Sequence, residues 1–164
     1  MKEKLKEIFS YIIVIVLVLL IKQFIVTPIR VNGASMNNTL INKDIMILDK
    51  ISYRFSNIKR FDIVVIKLEN EYLIKRVIGL PSETLEYKDN NLYINGELVK
   101  ENFKHKDTDN YSLNEVIPEG YYFVVGDNRG DSLDSRVLGF IKEEDILGKT
   151  SLVLFPFNRF GVKE

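Results

Sequence analysis

The sequence predicts a mainly β domain preceded by one N-terminal transmembrane helix, and three observations carry that prediction. Ile8 to Ile21 contains no charge and is almost entirely Ile, Val and Leu. After Pro28 helical periodicity is scarce. In its place come short β-rich runs punctuated by Gly, Pro, Asn and Asp.

The N-terminal element comes first. Lys22 and Gln23 interrupt the apolar run, and Phe24-Ile25-Val26 resumes it. Counted as Ile8–Val26 it has 19 residues, about 28 Å of helix, close to the thickness of a bilayer core. Thr27-Pro28 is expected to end it, because the residue before proline is pushed out of the α region. A cleaved secretory signal and a buried core helix are the competing readings. The first lacks a good cut site, since Val31 and Asn32 precede the small cluster Gly33-Ala34-Ser35. The second would have to bury a helix apolar on every face. Lys2, Lys4 and Lys6 orient the anchor reading by the positive-inside rule. Residues 1–7 are then cytoplasmic, 8–26 span the membrane, and 27–164 form an extracytoplasmic β domain.

The expected strands are Ile45–Leu48, Asp62–Lys67, Tyr72–Ile78, Thr84–Tyr87, Asn91–Ile94, Glu97–Lys100, Tyr121–Val125 and Ser151–Phe155. Asn95-Gly96 is a two-residue hairpin signal. Only Lys142–Ile146 reads as a helical turn. The polar stretch 88–114 is expected to be a small hairpin insert.

Composition narrows the chemistry. A chain of 164 residues has room for one modest domain plus an appendage, and its 23 basic and 23 acidic residues give no general pull toward nucleic acid. The absence of cysteine excludes disulfides, a thiol nucleophile and a cysteine zinc site. The single histidine, His105, sits among Lys104, Lys106, Asp107 and Asp109 and reads as a solvated loop residue. A hydrolytic base is therefore sought elsewhere. No motif calls for a metal or an organic cofactor.

Three segments are not explained by strand logic. Gly33–Leu40 places small residues beside Ser35, which lets a substrate backbone approach and frees N–H groups for an oxyanion. Tyr72–Pro81 carries Lys75 on one strand face between Leu73 and Val77, with Ile74 and Arg76 on the other. Lys75 reads either as an edge-strand lysine that blocks aggregation, or as a desolvated amine able to take a proton from a serine. Gly126–Arg136 alternates Asp with Arg, which suits a loop locked by charge-assisted bonds or simply solvated. Ser56–Lys59 matches a Ser-x-x-Lys motif without its partner motifs. Gly148-Lys149-Thr150 lacks the leading glycine of a phosphate loop.

Together the three segments resemble the type I signal peptidases. That family carries boxes like Ser-Met-x-Pro-Thr-Leu, Lys-Arg-Val-x-Gly-Leu-Pro-Gly and Gly-Asp-Asn-Arg-x-x-Ser-x-Asp-Ser-Arg. Here they read Ser35–Leu40, Lys75–Ser82 and Gly126–Arg136, in the same order. The resemblance implies a β-barrel or curled-sheet catalytic domain and a serine endopeptidase with a Ser-Lys dyad. Ser35 would be the nucleophile and Lys75 the general base, with Ser132 hydrogen-bonding and orienting Lys75. The Ser35 backbone N–H would build the oxyanion hole, with Gly33 as a further contributor. Asp127, Arg129, Asp134 and Arg136 would hold the loop. Ile29, Val31, Met36 and Ile74 would border pockets for small residues at positions −1 and −3 of a signal peptide. The implied partners are secretory pre-proteins and the lipid bilayer, not nucleic acid. The implied place is a bacterial cell membrane, with the catalytic domain on its outer face. A non-catalytic or dedicated homologue that assists surface-protein assembly is the alternative. Four positions depart from the pattern. Asn38 replaces the usual Pro, Gly33 stands where some members have a serine donor, and Phe61 and Ser82 stand where glycines are common.

Overall fold

A computed structural model describes residues 2–69 and 71–163. Helix α1 (Lys2–Phe24) is followed almost at once by strand β1 (Val26–Arg30). The apolar run therefore changes conformation before its end. Ile25 and Val26 are β-branched, and residues 26–30 pair antiparallel with β2 (Ile45–Asp49). Thr27 caps the helix end by donating its hydroxyl to the Lys22 carbonyl at 2.7 Å. Thr27-Pro28 thus lies inside a strand, not at the helix terminus. Strand β1 is an edge, where a residue without an N–H is tolerated.

The chain continues through β3 (Ile63–Lys67) and β4 (Tyr72–Gly79), then enters a smaller sheet. That sheet comprises β5 (Leu85–Lys88), β6 (Asn91–Ile94), β7 (Glu97–Val99) and β8 (Tyr111–Ser112), in the order β7-β6-β5-β8. It begins earlier than the expected insert because Leu85 and Tyr87 alternate into the core. Asn95 and Gly96 both have positive φ, as a tight hairpin turn between β6 and β7 requires. The chain then returns through β9 (Tyr121–Val125), the four-residue helix α2 (Ser135–Leu138), β10 (Ile141–Lys142), β11 (Ile146–Phe155) and β12 (Gly161–Val162). The large sheet runs β1-β2-β11-β3-β4-β9-β10, with β12 on β11.

Strand β11 is twice the expected length and contains Gly148-Lys149-Thr150, so that phosphate-loop lookalike is strand. Helical turns occur at Ser52–Arg54, Glu143–Asp145 and Phe157–Arg159 as well as α2, more than the one expected. Asp134 caps α2, which pattern alone hides inside a charged loop. Among the described residues the core has three apolar clusters. One joins the two sheets through Ile78, Tyr87 and Phe123, and another packs Met36, Leu40 and Met46 beneath the serine turn.

Candidate active site

Ser35 lies in a tight turn after β1 whose bonds are local: Asn37 N–H to Ala34 O at 2.9 Å and Leu40 N–H to Met36 O at 2.8 Å. Met36 and Leu40 anchor the turn in the core, leaving Ser35 half-buried. Among the described residues the Ser35 N–H makes no hydrogen bond. Gly33, the expected second oxyanion donor, is already engaged: its N–H donates to Asn42 Oδ1 at 3.3 Å.

Lys75 comes from the middle of β4, opposite Val64 of β3. It is 1% exposed, and its Nζ donates to Ser35 Oγ at 2.7 Å. Burial favours the neutral amine and pulls its pKa down to about 8; the negative charges of Asp134 and Glu71 resist that shift. The structure therefore brings Ser35 and Lys75 into direct contact and buries the lysine.

The loop after β9 closes over this pair. Gly126 has no room for a Cβ, which would strike both Ser132 Oγ and the Ser35 carbonyl oxygen. Ser132 is thus beside the serine turn, but it does not hydrogen-bond Lys75 as expected. Its hydroxyl is packed against Gly126 and buried; no partner meets it in good hydrogen-bond geometry among the described residues, although it lies near enough to the Asp134 carboxylate to help hold that group's pKa down.

The four loop charges are all paired. Asp134 accepts from the Arg136 guanidinium at 2.9 Å and from the Gly126 N–H at 3.0 Å. Burial alone would raise the Asp134 pKa, but these donors outweigh it and hold the carboxyl below its ordinary range. Arg136 also donates to the Arg129 carbonyl at 2.7 Å. Arg129 reaches out of the loop to Glu101 at 2.5 Å and Thr108 at 2.7 Å. Asp127 likewise reaches outward. It takes a bidentate grip on Arg76, at 2.9 and 2.7 Å, and a short hydrogen bond from the Thr39 hydroxyl. Arg76, Thr39 and Glu101 were not singled out from the sequence, although an arginine placed on the inward face opposite Lys75 is a signal that a buried anion awaits it.

Similarity to known proteins fits this arrangement. The family described as signal peptidase, peptidase S26, matches residues 4–155. Signal peptidase I V of Bacillus subtilis is 43% identical over 155 residues, covering 85% of this chain and 92% of that protein. Signal peptidase IB of Staphylococcus aureus is 36% identical over 178 residues, covering 97% and 93%. A crystal structure of a signal peptidase I from Enterococcus faecalis aligns with a TM-score of 0.52 at 37% identity, covering 57% of this chain and 97% of that one. This chain belongs to the signal peptidase family.

It is accordingly a serine endopeptidase of the type I signal peptidase kind. Within that family its departures have physical consequences. Asn38 has φ +96°, a region closed to proline, so the turn is not a proline turn with its ring removed. Asparagine enters this region more readily than most residues. Phe61 and Ser82 also have positive φ, at +71° and +66°, where glycine would be unstrained. Phe61 is compensated by a tilted ring contact with Phe103, centroids 5.2 Å apart, and by accepting from Arg76 through its carbonyl at 2.9 Å.

A groove of about 700 Å³ opens beside the pair. Ile29, Val31, Met36 and Ile74 all line it, together with Ser35 and Lys75. His105 is half-buried rather than solvated. It packs on Phe103 at 5.5 Å and lies 3.6 Å from Glu101, without bonding Ser35 or Lys75.

Proposed function

We propose that this signal peptidase removes N-terminal signal peptides from secretory pre-proteins with Ser35 as nucleophile and Lys75 as general base. The observation that supports this best is the 2.7 Å contact between a serine hydroxyl and a buried amine whose pKa is lowered to about 8. In its neutral form Lys75 accepts the Ser35 proton as Oγ attacks the scissile carbonyl. The unpartnered Ser35 N–H is available to the oxyanion that forms. Lys75 then returns the proton to the leaving amine. Water hydrolyses the resulting acyl-enzyme, with Lys75 again as base. The groove bordered by Ile29, Val31, Met36 and Ile74 receives the small residues at −1 and −3. The non-catalytic alternative is disfavoured because the dyad is intact and hydrogen-bonded.

The helix Lys6–Phe24 is long and apolar enough to cross a membrane, and none of it is buried against the domain. In this reading the N-terminus is cytoplasmic and the domain from residue 27 lies on the outer face. Ser35 follows Phe24 by eleven residues, a reach of at most about 40 Å, so cleavage occurs near the lipid surface. The test is to incubate the detergent-solubilised full chain with a secretory pre-protein and sequence the new N-terminus. Cleavage after a small residue supports the reading; an uncut pre-protein overturns it.

A further inference from the structure

Asn128 has no role in the mechanism just described, yet it holds the nucleophile's turn with both halves of the residue. Its backbone N–H donates to the Ser35 carbonyl at 2.9 Å. Its side-chain Nδ2 donates to the Ala34 carbonyl at 3.0 Å. These two carbonyls flank the residue that carries the reacting oxygen. Asn128 is only 3% exposed, and its Oδ1 is buried without a partner among the described residues. A residue retained for packing alone would not need to carry that unsatisfied oxygen.

The consequence follows from peptide geometry. The Ala34–Ser35 peptide is planar and trans, so its C=O and N–H point in opposite directions. Drawing the Ala34 carbonyl toward the loop turns the Ser35 N–H away from the loop. That N–H makes no hydrogen bond among the described residues. The neighbouring Asp127 holds the other end of the same turn through the Thr39 hydroxyl. Consecutive residues of one loop thus grip the turn at its entry and its exit.

We infer that Asn128 is a positioning residue that aims the Ser35 N–H at the developing oxyanion. The inference rests on the Ser35 and Lys75 reading above. It acts through backbone orientation, not through contact with substrate. Loss of one oxyanion donor costs about 10²–10³ in kcat. A donor misaimed but still present is expected to cost less, about tenfold to a hundredfold.

The experiment compares Asn128→Ala and Asn128→Asp with the unaltered full chain in detergent, on a synthetic peptide with Ala at −3 and −1. Asn128→Asp keeps the shape but sets an oxygen against the Ala34 carbonyl. Both variants should lose kcat about tenfold to a hundredfold with KM nearly unchanged. The rising limb of the pH–rate profile should stay in place, because Lys75 remains buried. Turnover within twofold of the unaltered chain in both variants overturns the inference. So does a loss accompanied by a rise of the profile's midpoint toward that of free lysine, which would mean the loop had opened and Asn128 is merely structural. Ser35→Ala, run alongside, separates the two claims. If it is inactive while the Asn128 variants are normal, only the present inference fails. If it stays active, the nucleophile assignment itself fails.

Discussion

Lys75 and Arg76 are adjacent on β4 and equally buried, at 1% exposure each, yet their surroundings are opposite. Arg76 faces the Asp127 carboxylate in bidentate geometry, donates to the Phe61 carbonyl, and stacks its guanidinium 3.8 Å over the Phe103 ring. Among the described residues the Lys75 amine makes one hydrogen bond, to a neutral hydroxyl. Strand alternation sends the two cations to opposite faces, and the partner on each face decides what burial does. Desolvation with a matched anion gives a joint between β4, the serine turn and the loop after β9. Desolvation without one gives an amine ready to lose its proton near neutral pH.

The largest expected effect comes from removing the reactive side of this contrast. Ser35→Ala and Lys75→Ala should each reduce peptide turnover by about 10⁴–10⁶ without unfolding the domain. Lys75→Arg should not restore activity, because a guanidinium stays protonated and cannot serve as a base. Turnover assays with parallel thermal melts check this. Near-normal turnover in any of the three would end the assignment.

The two cations should respond oppositely to the same replacement. Arg76→Met leaves Asp127 buried without its counter-charge and should destabilise the domain by about 3–5 kcal/mol. Lys75→Met removes a poorly compensated charge and should stabilise it at pH 7 by on the order of 1–3 kcal/mol. Chemical denaturation of both variants measures the contrast. If Lys75→Met destabilised the domain as much as Arg76→Met, the view of Lys75 as a tolerated strain would be wrong.

pH sharpens the same point. In the proposed mechanism the active form of Lys75 is the neutral amine, so kcat/KM should fall about tenfold per unit below pH 8 and level off above it. Its contribution to stability has a defined sign. The unfolded lysine still holds its proton between pH 8 and about 10.5 while the folded one has lost it, so stability should rise with pH across that window. Below pH 8 the burial penalty is present in full. A rate profile centred near pH 4 would point instead to a carboxylate.

How much of this was legible in the sequence depended on distance along the chain. Local alternation placed Asn91–Ile94 and Tyr121–Val125 with their observed bounds, and put Lys75 and Arg76 on opposite faces. It could not pair Arg76 with Asp127, 51 residues away, or Thr39 with Asp127 across 88 residues. Nor could it separate β1 from the end of α1, because both are apolar and only pairing with β2 distinguishes them. The resemblance supplied Ser35 and Lys75 as a pair, and the structure brings them together. The same resemblance named Asp127 as a residue that holds the loop, without saying that its bonds run outward to the serine turn and β4. It passed over Asn128, whose importance lies in which carbonyls it meets rather than in its residue type.

The smallest effect expected on activity concerns the contact that did not form. Ser132 was expected to orient Lys75 by a hydrogen bond. In the structure its hydroxyl rests against Gly126 beside the Ser35 carbonyl, buried and without a partner in good hydrogen-bond geometry among the described residues. A buried unpaired hydroxyl carries a desolvation cost of about 1–3 kcal/mol, so replacing it should not destabilise the fold. Ser132→Ala should leave the melting temperature unchanged or slightly raised. If Lys75 leans on Ser132 only once substrate is bound, when bonds at such sites tighten, the variant should lose about tenfold in kcat, far less than Ser35→Ala. The pH midpoint decides whether that loss concerns Lys75. A hydroxyl that orients the amine should move the midpoint when removed, whereas one that only fills space beneath Gly126 should not. Unaltered kcat and midpoint together would show that the serine turn alone holds Lys75, and that the asymmetry between the two faces of β4 needs no help from the loop at position 132.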